Sequence, residues 1–265
     1  MRPAGDVPFD ERSARVEAAG ARCERALRVT QRLYLEDPRR KTALAEVIGH
    51  AAGGFVLDKT VFHAADARYH HAQPCDLGHV LAEGHKLKLD KVFWDSRGNL
   101  VHKTSGPLPA VGAKAQLHLD APRREQNARA HAAMHLLIAA LAEQRATLLE
   151  PPRVVGGGET RANVTLREDP RTALPRIVAR ANELAATRED VTATWTPRDD
   201  AAKLVALDDV APDEPTLRIV RCGTHSTLPC DAPLVTNLRE LGPLRLTLTQ
   251  PGRQGVRFGV KALPP

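Results

Sequence analysis

His131 and His135 stand four residues apart in the Ala/Leu-rich run Arg129-Ala130-His131-Ala132-Ala133-Met134-His135-Leu136-Leu137. At about 3.6 residues per turn, that spacing stacks both imidazoles on one helix face, close enough to grip one metal ion. Taken alone, such a pair is more often a core or surface feature than a ligand pair. A cluster far downstream, Arg221-Cys222-Gly223-Thr224-His225-Ser226-Thr227-Leu228-Pro229-Cys230, adds thiols and a third imidazole. Two helical histidines with a thiolate from a distant loop form a donor set suited to zinc. No Gly-x-Ser-x-Gly elbow occurs that would supply a serine nucleophile instead.

The elements that must position these residues read as two layers of organisation. Within residues 1–29, Val16, Ala19, Cys23, Ala26 and Leu27 fall at helical spacing. They suggest an N-terminal helical extension that packs on the body or contacts another chain. Residues 30–120 carry short β-type runs, among them Phe55-Val56-Leu57, Lys86 to Trp94, Leu100-Val101-His102 and Lys114 to Leu119. Gly53-Gly54, Arg97-Gly98-Asn99 and Pro107-Leu108-Pro109 punctuate them as turns. A small antiparallel, barrel-like β domain is expected there.

Residues 121–265 read as a two-layer α+β domain with helices on a mostly antiparallel sheet. Asp120 offers an N-cap for a helix to about Gln144, with Met134, Leu137, Ile138 and Leu141 as its apolar stripe. A second helix spans about 170–187. Strand Val191 to Trp195 leads into the capping signature Thr196-Pro197-Arg198-Asp199, and strands near 216–222, 243–249 and 254–261 finish the chain. The overall fold class expected is α+β.

A length of 265 residues supports one large or two small domains with real cores. The 42% hydrophobic and 26% charged fractions are those of a soluble globular protein. No run has the length of a membrane span and the start lacks a signal-peptide core, so a cytoplasmic protein without a membrane partner is expected. The four cysteines (Cys23, Cys75, Cys222, Cys230) are too scattered for a disulfide framework. A net charge of +6 favours polyanionic partners. With only 3% aromatic residues the sequence displays no clustered platform for stacking unpaired bases, so backbone and shape contacts are expected to dominate.

Several motifs in order resemble the free-standing alanyl-tRNA editing proteins of the AlaX type, relatives of the editing domains of alanyl- and threonyl-tRNA synthetases. Leu33-Tyr34-Leu35-Glu36-Asp37-Pro38 looks like that family's opening strand, and Leu57 to Phe62 like the segment before its glycine-rich motif. His70-His71-Ala72-Gln73-Pro74-Cys75-Asp76-Leu77-Gly78 occupies the place of the Gly-Gly-x-Gln-Pro-x-Asp-x-Gly motif. Arg124 to Leu141 resembles the H-x-x-x-H helix, and Trp195 to Ala201 the strand-to-helix corner. Gly156-Gly157-Gly158-Glu159 reads as a loop near the site.

The family's second ligand motif, C-x-x-x-H, meets this chain in two registers. Cys222-x-x-His225 is one residue short between its ends. The preferred register aligns Pro229-Cys230 and carries Asn237, Glu240, Leu241 and Gly242 into line, but places Leu234 where a histidine ligand belongs. The resemblance thus implies His131, His135 and Cys230 as ligands of one Zn2+. The fourth position is left to water, His225, Cys222 or Asp231. It further implies Thr60, His70, His71 and Gln73 at the substrate pocket.

The activity implied is hydrolysis of the ester on a mischarged tRNA, with the tRNA acceptor end as partner and serine, glycine, threonine or an analogue as the amino acid. A tRNA-binding protein that has lost catalysis, and an aminoacyl-tRNA-dependent acyl transferase of specialised metabolism, are the alternatives. The resemblance allows zinc two roles, activating water or orienting the substrate.

Overall fold

The computed structural model describes residues 29–65, 73–207, 210, 214–252 and 254–265. The expected helical extension and its contacts lie outside the described residues, as do His70 and His71. No described helix is long and apolar enough to cross a membrane.

Strand β1 (Gln31–Arg32) leads straight into a one-turn helix, α1 (Leu33–Glu36). This corrects the expected opening strand across 33–38. Adjacent residues of a strand point to opposite faces, yet Leu33 and Tyr34 are both buried, which a helical turn allows. Strands β2 (Thr42–Ala51) and β3 (Gly54–Leu57) follow, then β4 (Lys59–Thr60), which pairs in parallel with β1. With β5 (Gly78–Ala82), β6 (His85–Trp94), β7 (Leu100–Thr104) and β8 (Lys114–Leu119), β2 and β3 close a barrel in the order β2-β3-β7-β6-β5-β8. Closure pairs every edge, and Val47, Phe55, Leu57, Val80, Leu89 and Leu117 fill the interior.

Helix α2 (Ala121–Glu143) starts at Asp120, whose carboxylate accepts from Arg123 N at 3.2 Å. The expected apolar stripe is too narrow a description. Ala130 through Leu137 are buried without a break, and Ile138, placed on the stripe by periodicity, is only half-buried. A helix buried all round is one enclosed by other elements.

Strands β9 (Thr147–Val155) and β10 (Glu159–Thr165) form a hairpin that α2 packs against. Helix α3 (Pro170–Ala186) packs against α2 through the expected face, with Leu174, Ile177, Val178, Ala181, Leu184 and Ala185 all buried.

Strand β11 (Val191–Pro197) and the short α4 (Arg198–Ala201) form the expected corner, but Pro197 rather than Thr196 occupies the cap and no side chain bonds there. Strands β12 (Thr216–Cys222) and β13 (Ser226–Pro229) complete a sheet β11-β12-β13. Strands β14 (Leu244–Pro251) and β15 (Val256–Ala262) complete β14-β15-β10-β9. The architecture is mixed α+β, as expected.

Strand β9 was not expected, because Pro151 and Pro152 lie within it. Proline lacks a ladder donor but is tolerated at a sheet edge, and β9 is the edge strand of its sheet.

Inside the barrel, Thr60 and His102 are both fully buried, and Thr60 Oγ1 lies 2.9 Å from His102 Nε2. Phe62 N donates to the same hydroxyl at 3.1 Å, and the imidazole stacks on Phe55. Burial pushes the His102 imidazole from its ordinary 6.5 down to about 4. Its contribution to stability is therefore complete above pH 6.5 and is lost as pH falls toward 4, because the unfolded chain takes up the proton first. Between those limits His102 should cost the fold about 1.4 kcal/mol per pH unit, or about 3 kcal/mol in all. Denaturant titrations of wild type and His102→Phe across this window check it: the stability difference should shift toward the variant as pH falls. A pH-independent difference would show that His102 does not carry the acid limb.

Candidate metal centre

Asp76 and Arg124 seat the N-terminal half of α2 on the barrel. Arg124, at 3% exposure, donates Nε and Nη2 to the Asp76 carboxylate at 2.5–3.1 Å, Nη1 to Pro38 O at 2.9 Å and Nη2 to Val61 O at 2.6 Å. Asp76 is fully buried and also accepts from His63 N at 2.6 Å.

Three residues earlier, Gln73 Oε1 lies 3.0 Å from His131 Nδ1. The two links match in length. Arg124 and His131 are two turns apart on one face, a rise of roughly 10.5 Å, and three extended residues span roughly 10 Å. The Gln-Pro-x-Asp segment is thus pegged alongside α2 at both ends. Gly78 closes it, where a Cβ would collide with the His118 carbonyl and the Phe62 ring.

Beyond this clamp, His131 and His135 meet Cys230. Their ligand atoms lie within 4.8 Å of one another and all three residues are buried. Cys230 Sγ is 3.2 Å from His131 Nε2, and Ser226 Oγ is 3.3 Å from His135 Nδ1. Tetrahedral zinc, with bonds of about 2.3 Å to sulfur and 2.0–2.1 Å to nitrogen, holds its ligand atoms roughly 3.3–3.6 Å apart. The three donors fit such an ion by type, and the Cys230–His131 pair also fits it by spacing. Each histidine has a side-chain partner at Nδ1, and His131 turns Nε2 to Cys230, the arrangement that orients metal-binding imidazoles.

Cys230 is delivered by Arg218 on β12. Cys230 N donates to Arg218 O at 2.9 Å, while the guanidinium donates to Cys230 O at 3.0 Å and Ala232 O at 3.2 Å. Burial pushes the Cys230 thiol up to about 12, with the Arg218 charge pulling the other way. A cation in the cluster would displace that proton.

The alternative fourth donors go elsewhere. His225 sits in the β12–β13 turn, 2.9 Å from Glu189 and 3.1 Å from Thr187 Oγ1. Asp231 pairs with Arg32. Cys222 is buried at the end of β12 opposite Ser226, with its thiol pushed up by burial, and is not part of the cluster. Leu234 is buried and lines a cavity of about 350 Å³ with Leu119, Ala128, Arg129 and Arg239. Among the described residues the cluster therefore has three members.

Asn237 and Glu240, which align in the Cys230 register, form a capping box on the short 3₁₀ turn Leu238–Glu240, and Asn237 Nδ2 also donates to Asp190 at 2.7 Å. Their fit to the motif is a fold requirement. Thr60 is enclosed with His102 in the barrel, and Gly156 to Gly158 make the β9–β10 turn, with Gly158 against Gln126 on α2.

Two aromatic side chains distant in sequence meet the same arginine. The only two tryptophans, Trp94 and Trp195, both lie with their ring centroids 5.9 Å from the Arg32 guanidinium carbon. Residues this far apart in sequence leave no local signal.

No protein-family model matches the chain. It is similar to the alanine–tRNA ligase of Korarchaeum cryptofilum, 27% identical over 234 residues that cover 86% of this chain and 25% of that protein. The same enzyme of Thermococcus kodakarensis is 27% identical over 245 residues, again 86% and 25%. That of Mycoplasmopsis pulmonis is 36% identical over 112 residues, 42% of this chain and 12% of that protein. The chain spans about a quarter of the length of the first two of these relatives. The resemblance read from the motifs and these comparisons agree: the chain is similar to alanine–tRNA ligases along most of its own length.

Proposed function

We propose that the chain is a trans-acting, zinc-dependent aminoacyl-tRNA deacylase that removes a wrongly attached amino acid from the tRNA acceptor end. The observation that carries this reading is the convergence of His131, His135 and Cys230, with Gln73 of the neighbouring motif bonded to His131. The similarity to alanine–tRNA ligases and the resemblance to editing proteins supply the substrate class. Serine, glycine, threonine or a close analogue is the amino acid proposed.

Water adds to the ester carbonyl, the bond to the ribose oxygen breaks, and amino acid, a proton and a free terminal hydroxyl result. Bound zinc would supply Lewis acidity at the reacting centre or hold the substrate's amino group and ester in place. Gln73 Oε1 accepts from His131 Nδ1 and keeps Nε2 available as a donor atom. Ser226 holds the His135 ring, and Arg218 props the backbone on both sides of Cys230. Three protein donors among the described residues, with a fourth position left for water or substrate, match the form taken by catalytic rather than structural zinc. The net charge of +6 draws the polyanionic substrate in and makes its binding salt-dependent.

Metal analysis of the purified full chain should find about one zinc per chain, held in the way catalytic sites hold it. Cys230→Ala should lose that zinc together with release of amino acid from mischarged alanine- and threonine-type tRNAs, while Cys222→Ala keeps both. The reverse pattern would overturn the assignment of the cysteine. Wild-type protein that binds tRNA but releases nothing across the panel would overturn the hydrolase reading. Gln73→Leu should weaken zinc binding by about 10- to 100-fold, as loss of an orienting partner does; competition with a chromogenic chelator measures it, and unchanged affinity would deny Gln73 that role.

A further inference from the structure

Trp195 lies in β11 with its side chain 50% exposed, an unusual display for the residue type with the largest apolar body. It is not stranded on a remote surface. Trp195 stands directly opposite Arg218 in the β11–β12 pairing, and directly opposed residues project from the same face of a sheet. The Arg218 guanidinium on that face bonds the Cys230 and Ala232 carbonyls.

A second, separate chain of contacts reaches the same loop. Arg32 pairs with Asp231, the residue after Cys230, and its guanidinium carbon is 5.9 Å from the Trp195 centroid. By chain geometry the indole and the Cys230 thiol are separated by no more than roughly 20 Å.

We propose that Trp195, backed by Arg32, is the stacking seat for a nucleobase at the 3′ end of the nucleic acid whose ester reaches His131, His135 and Cys230. The proposal rests on the deacylase reading and adds to it the group that positions the strand. An exposed indole beside a guanidinium suits a planar base joined to a phosphate. The ring offers a π face, which every base can stack on, and the Arg32 guanidinium holds the ring from beside it. Arg32 and Trp94 join the barrel to the Asp231 segment, a structural link that does not need the open half of Trp195.

The test uses the full chain and the trinucleotide cytidylyl-cytidylyl-adenosine, the 3′ end shared by tRNAs, with the same trinucleotide lacking its terminal base as control. The two tryptophans provide the fluorescence signal, and competition against a labelled trinucleotide serves the variants. Wild type should bind the complete probe and discriminate against the abasic one. Trp195→Ala should bind about five- to a hundredfold more weakly, the range of one lost base stack, and Trp195→Phe should recover most of the loss.

With mischarged tRNA, Trp195→Ala should raise KM while kcat stays within about twofold, as loss of uniform binding does. Equal binding by wild type and Trp195→Ala, or a phenylalanine variant as weak as the alanine one, would overturn the proposal. Failure of the two readings is separable. Base-dependent trinucleotide binding without ester release would retain the seat and remove the deacylase. Ester release unaffected at Trp195 would do the opposite.

Discussion

A buried guanidinium and a buried amide, pegging one extended segment to one helix, determine where everything else in this molecule goes. Arg124 spends its donors on Asp76, Pro38 and Val61, which belong to three different stretches of the barrel half. A buried carboxylate left without that partner would be an uncompensated charge, and breaking a buried pair in this way typically costs about 3–5 kcal/mol. The pair therefore enforces registry between barrel and helix more than it adds net stability. Two turns along the helix, Gln73 meets His131 as a consequence of that registry.

Helix α2, buried from Ala130 to Leu137, packs against α3, β9, β10, β13 and β15 and is tied to the barrel half through Arg124 and His131. Its small residues let other elements approach closely, and its two histidines are held among them with little freedom to reorient. The third donor arrives by a different route, from a loop after β13 whose carbonyls Arg218 grips. The helix thus supplies two donors, the loop after β13 the third, and the barrel half the Gln73 side chain that bonds His131. This is the rigid support that a site needing sub-ångström placement requires.

Much of this was legible in the sequence where the signal is local. The barrel strands follow alternation and turn residues, and the Asp120 cap and the α3 face follow helical spacing. Cys230, preferred over Cys222 because its flanks aligned, lies with the two histidines, and Asn237 and Glu240 of those flanks form a capping box. The misses are those that only tertiary contacts decide. Leu33 and Tyr34 are both buried within one helical turn, and β9 tolerates its prolines because it is an edge. The absence of a histidine at 234 was visible at once, whereas the engagement of His225 with Glu189 was not.

X-ray absorption at the zinc edge, on the purified full chain, addresses the central claim most directly, because it counts and identifies the donor atoms. One sulfur at about 2.3 Å and two imidazole nitrogens at about 2.0–2.1 Å are expected, with the remaining scatterer light. Two sulfurs in the shell, or a chain that retains no zinc, would contradict it.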